Sequence, residues 1–228
     1  MTSERASKLR TRARAPKAAA MAGIVFSLLL FASLALLLSV LSGDAGVDQL
    51  LLATNQQRVE LAINLIPFAS IAFLWFVGVV RDRFGEQEDQ FFSTVFLGSG
   101  LLFIAMLFVS SAVTGSLFWQ LGDGDTPLIA PLDYAPYVIL ARETMTNYGI
   151  RMAGVFMIST SSLFLRTQVI PRWLAWLGFG LAAVMILRIG YINRLGWIFL
   201  SLPLWVLLLS IYILIYNYRQ QQGTQTPG

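Results

Sequence analysis

Apolar residues along this chain gather into six runs of about 20, near 18 to 42, 60 to 80, 91 to 113, 142 to 165, 173 to 192 and 196 to 216, parted by short polar stretches. At 1.5 Å of rise per residue, a run of about 20 spans the roughly 30 Å hydrocarbon core of a bilayer. The pattern predicts an all-α, polytopic bundle of six transmembrane helices forming one domain, residues 18–218, between a basic tail (1–17) and a polar tail (219–228). The first run is about 25 residues long, beyond the roughly 7–15 of a signal-peptide core, and reads as a retained helix.

Basic residues set the orientation. Arg5, Lys8, Arg10, Arg12, Arg14 and Lys17 crowd the N-terminal tail, opposed there only by Glu4. Arg81, Arg83, Arg166, Arg172 and Arg219 fall on the same side of a six-span chain, and Asp44, Asp48, Asp123, Asp125 and Asp133 fall on the other. The positive-inside rule then places both termini in the cytoplasm, with the protein in the plasma membrane. A basic tail could also meet nucleic acid or anionic lipid, but no aromatic residue is interleaved with its charges to stack on bases, so no nucleic-acid partner is expected. Trp173, Trp176, Tyr216 and Tyr218 fall near the inner boundary, and Trp119 and Trp197 near the outer one, as headgroup-zone aromatics do.

Composition sharpens the class and narrows the chemistry. The chain is 57% hydrophobic and 12% charged, against about a quarter charged in soluble domains. Its mean hydropathy is +0.69. Cysteine and histidine are both absent, so disulfides, thiolate nucleophiles, histidine-ligated haem and ordinary zinc sites cannot be built. No lysine lies beyond Lys17 to serve as a base, so the reading is of a protein without catalytic residues, metal or cofactor.

Local signals refine the bundle. Pro67 and Pro203 fall within the second and sixth spans, where each removes a backbone donor. Small residues four apart, at Gly23 and Ser27, Gly149 and Ala153, and Gly178 and Ala182, would let helices approach closely, within the monomer or in a dimer. The stretch from Thr114 to about Ala141 reads as the longest connection, a possible cap holding Pro127, Pro131 and Pro136. Within it, DGDTP at 123–127 reads as a turn, because it lacks the remaining ligands of a calcium loop. The hydroxyls of STSS at 159–162 are expected to bond backbone carbonyls or a neighbouring helix.

The best functional clue is the fourth span's polar entry, ARETMTNYGIRMAGVF. Counting from the inner limits of their spans places Arg151 at about 21 Å, Arg188 at about 22 Å and Asn64 at about 24 Å. Glu60 lies one turn beyond Asn64, and Glu143 and Asn147 precede Arg151 at spacings of four. Charges at such depth face a partner, a cavity or water. An outward-opening polar pocket lined by Glu60, Asn64, Glu143, Asn147, Arg151 and Arg188 follows as an expectation, for an anionic or zwitterionic ligand such as a lipid headgroup. The alternative is that the arginines snorkel to the surface or pair with glutamate to hold helices together.

Two resemblances bear on identity. After the second span, Gly78, Asp82, Arg83 and Gly85 match the G-x-x-x-D-R-x-G core of the loop between helices two and three of the major facilitator superfamily, which is cytoplasmic in that family. That motif normally continues with two basic residues where this chain has Glu86 and Gln87, and six spans make half of such a transporter. The whole pattern, with RDRFGEQEDQFF and PRWLAWLGFG, resembles six-helix bacterial membrane proteins to which no activity is assigned. The combined expectation is a non-enzymatic accessory, sensory or assembly protein that meets membrane lipids and another membrane protein or a second copy of itself. The alternative is a small transporter or lipid-binding permease, with an intramembrane enzyme third.

Overall fold

In the computed structural model, the described residues are 2–41, 53–84, 90–122, 135–167, 170–187 and 196–223. They form α1 (Thr2–Leu41), α2 (Ala53–Phe84), α3 (Gln90–Gly122), α4 (Ala135–Glu143), a π turn (Thr144–Gly149), α5 (Ile150–Thr167), α6 (Arg172–Leu187) and α7 (Gly196–Gly223). Since α4, the π turn and α5 follow without a break, the described chain makes six helical rods, as the apolar runs predict. Five of them are long and apolar enough to cross a membrane, whereas α6 is shorter. Pro67 and Pro203 lie inside α2 and α7.

Contacts at both ends of each pair fix the packing. Gly23 lies against Phe76 and Ser33 against Ala62, so α1 and α2 are antiparallel. By the same test α3 runs antiparallel to α2, through Ile63 at Gly115 and Phe73 at Gly100. The fourth rod reverses again, with Ala141 at Ser110 and Phe156 at Gly100, and α6 opposes it through Ile186 at Gly154 and Ser161 at Gly178. The last helix, α7, lies mainly along α1.

Phenylalanine fills the middle. Phe73 of α2 stands 4.6 Å from Phe26 of α1, 5.9 Å from Phe103 of α3 and 4.9 Å from Phe156 of α5, measured between ring centroids. Phe96 stacks on Phe156 at 5.1 Å, and Phe76 extends the group. All six rings are buried, joining four rods in one plug. Lipid tails are as apolar as these side chains, so the rings hold the bundle by close van der Waals contact rather than by escape from water.

Three side-chain bonds reinforce consecutive rods. Ser33 Oγ donates to Ala62 O (2.8 Å), Ser110 Oγ to Ala141 O (3.0 Å) and Trp205 Nε1 to Leu174 O (3.1 Å). The small-residue pairs are spent inside the monomer. A Cβ on Gly23 would fall 2.0 Å from Ser210 Oγ, and one on Gly178 would fall 2.2 Å from Ser161 Oγ and 2.6 Å from the Trp205 ring. Such approach is what small residues permit in lipid. Ser159 and Thr160 bond the carbonyls one turn back, at Val155 and Phe156, as the hydroxyl reading expects. The Oγ atoms of Ser70, Ser161 and Ser210, by contrast, are buried without a partner.

Large apolar side chains cover the outside, among them Phe68, Trp75 and Leu187. Trp173, Trp176, Tyr216 and Tyr218 are exposed at the ends of α6 and α7, where headgroup-zone aromatics belong. The side chains of Trp119, Trp197 and the basic tail lie outside those described.

One expectation is corrected. The long connection from Thr114 to Ala141 is mostly helix, because α3 continues to Gly122 and α4 begins at Ala135. Hydroxyls near the expected boundary are absorbed by the helix. Ser111 and Thr114 bond the carbonyls of Leu107 and Ser110, and Ser110 itself reaches across to α4. Pro136 sits in the first turn of α4, where a missing N–H costs nothing. The DGDTP turn at 123–127 lies outside the described residues.

Candidate functional site

The polar entry of the fourth span contains the only π-helical segment among the described residues, Thr144–Gly149. Its wider ladder is seen where the Ile150 N–H meets Met145 O, five residues back. The rod is pinned to α3 on both sides of this turn, through Ser110 at Ala141 and through Met106 beside Gly149. Thr144, Met145 and Gly149 are buried, so the opposite face, with Arg142, Tyr148 and Arg151, stays exposed. Single π turns inside α-helices are rare and recur at functional sites.

Side chains occupy this face in a ladder. Asn147 Nδ2 donates to Glu143 Oε2, and Arg151 Nη1 donates to Asn147 O at 3.2 Å. Thr146 Oγ1 adds a bond to Arg142 O at 2.8 Å. Three of the six residues expected to line a pocket, Glu143, Asn147 and Arg151, are therefore brought together on one rod. Because the Arg151 guanidinium points back along the helix toward α4, it moves away from the bilayer centre, as a snorkelling arginine does. No carboxylate among the described residues forms an ion pair with it.

The other three stand apart. Glu60 and Asn64 are exposed on α2 and make no hydrogen bond among the described residues. Asn64 shares its stripe with Leu61, Phe68, Ile71 and Trp75, all exposed. Arg188 lies outside the described residues. In the segment that resembles the facilitator loop, Gly78 is exposed with open space beside it, Asp82 and Arg83 fall in the last turn of α2, and Gly85 lies outside the described residues.

Sequence reading gave no role to Arg142 or Tyr148, although both occur in the polar entry it singled out. Tyr148 is 62% exposed, three positions from Arg151. No group of histidine, cysteine or carboxylate side chains able to hold a metal occurs among the described residues. The fold defines a class, a polytopic helical bundle built for a membrane. Beyond that class, no family model, curated protein or solved structure matches the chain.

Proposed function

We propose that the protein is a non-enzymatic accessory or assembly component of a bacterial plasma membrane, with both termini in the cytoplasm. The observation that supports this most is the phenylalanine plug. Where a permease would need a polar route between its helices, Phe26, Phe73, Phe76, Phe96, Phe103 and Phe156 pack ring against ring. The buried polar side chains among the described residues are hydroxyls of serine and threonine, and most of these are tied to nearby carbonyls. An interior of this kind suits a rigid body that presents its outer faces to neighbours.

Gentle extraction from native membranes followed by native mass spectrometry tests the reading. A protein partner held at fixed stoichiometry supports it. A bare monomer that moves a solute in liposomes, with flux lost on substitution of Arg151, would sink it in favour of a small transporter.

A further inference from the structure

We infer that Arg151, at the π turn, binds the phosphate of an anionic phospholipid in the leaflet around the start of α5. The inference rests on the bundle lying in a bilayer and not on a protein partner. Depth comes first. Arg166, Trp173 and Trp176 are exposed at the opposite end of this helical pair. Arg151 stands about 22 Å from Arg166 along the helix, within a core of about 30 Å. Its side chain turns toward the near surface and reaches the carbonyl of Asn147, roughly one turn higher. The charge stands below the phosphate plane, since the exposed Val138, Ile139 and Leu140 continue the apolar face beyond it within the Pro136–Thr167 span, and a phosphate meets it by local thinning of the leaflet.

Charge and donor count select the ligand. The single bond to Asn147 uses one of the guanidinium's five N–H groups, and none of the others has a partner among the described residues. Glu143, the nearest acid on the rod, instead accepts from Asn147. A cation in this setting takes its counterion from the surroundings. The planar fork of arginine matches the paired oxygens of a phosphodiester. The π turn helps by presenting Asn147 O to Arg151, which holds the fork outward.

The test compares wild type, R151Q, R151K and R142Q, each extracted from membranes in mild detergent and mixed with phosphatidylglycerol or phosphatidylcholine. Bound lipid is counted by native mass spectrometry, with inorganic phosphate as competitor. Wild type should retain phosphatidylglycerol in preference to phosphatidylcholine. Loss of a charge-assisted pair should make R151Q roughly ten- to hundredfold weaker. R151K, with the charge but without the fork, should fall between them, and R142Q should bind as wild type. Arg151 bonds only its own helix, so R151Q should keep the thermal midpoint of wild type, and R151K carries the comparison if it does not. Equal retention by wild type and R151Q, or loss in R142Q alone, would overturn the assignment. Inorganic phosphate that displaces the lipid at equal concentration would keep the anion chemistry but overturn the membrane as its source. Failure of this lipid comparison leaves the co-purified partner unaffected, so the two proposals fail separately.

Discussion

Replacing Gly178 by alanine adds one methyl group at the point where three helices meet. That methyl would lie 2.2 Å from Ser161 Oγ of α5, and 2.6 Å and 2.8 Å from two atoms of the Trp205 indole of α7. Atoms that close must separate, and although the unbonded Ser161 hydroxyl can rotate about χ1, the indole is a rigid plate that has to move. Overpacking of this kind costs about 1–3 kcal/mol. Moving the indole also strains its bond to Leu174 O, worth about 1 kcal/mol. Against this, alanine is favoured over glycine inside a helix by about 1 kcal/mol. The net is a loss of about 1–3 kcal/mol, or roughly 2–4 °C of Tm per kcal/mol at this chain length. Gly180 provides the control on the same helix, since a Cβ there meets nothing within 4 Å. G180A should keep or raise the midpoint. Thermal unfolding of both variants in one detergent, followed by tryptophan fluorescence, makes the comparison. If G178A were as stable as G180A, the close approach of α5, α6 and α7 at this glycine would be refuted.

Further predictions follow from the same packing. Phe73→Ala removes the ring shared by four neighbours and should cost about 2–3 kcal/mol through the cavity it leaves, read as a lower unfolding midpoint. Ser161→Ala and Ser210→Ala delete buried hydroxyls that have no partner, so each should be neutral or stabilising in that assay. By contrast, Ser33→Ala and Ser110→Ala remove bonds between rods and should each cost about 0.6 kcal/mol. A double-mutant comparison should find those two losses additive, because they lie at different interfaces.

The rods were legible because a bilayer demands length and apolarity together, and few other structures satisfy both. Their ends were less so. Ser110, Ser111 and Thr114 look like the approach to a loop, yet each hydroxyl finds a carbonyl and the helix runs on. Counting residues set Asn64 and Arg151 at similar distances from the inner ends of their spans, but not the direction each faces, which depends on the neighbours. Asn64 consequently stands among lipid-facing side chains, while Glu143, Asn147 and Arg151 form a ladder. The π turn has no signature in residue type. It depends on how the fourth rod is pinned to α3 at Ala141 and Gly149, a tertiary cause invisible in a single stretch of sequence. The phenylalanine plug was hidden for a similar reason, because in a chain this apolar any of its 16 phenylalanines could face lipid or core.

The π turn also makes the fourth rod tolerant of a one-residue deletion at this point. Its ladder, closing over five residues, holds one more than an α-helical turn needs. Deleting a single residue between Thr144 and Gly149 would let an ordinary α ladder form with α4 and α5 still in phase, because the π turn already under-rotates by about the 100° that one α-helical residue contributes. Ala141 would still face Ser110, and the faces carrying Glu143 and Arg151 would stay aligned. A missing codon here leaves a continuous helix with its polar edge aimed as before, whereas one missing from α4 or α5 would turn that edge by about 100°.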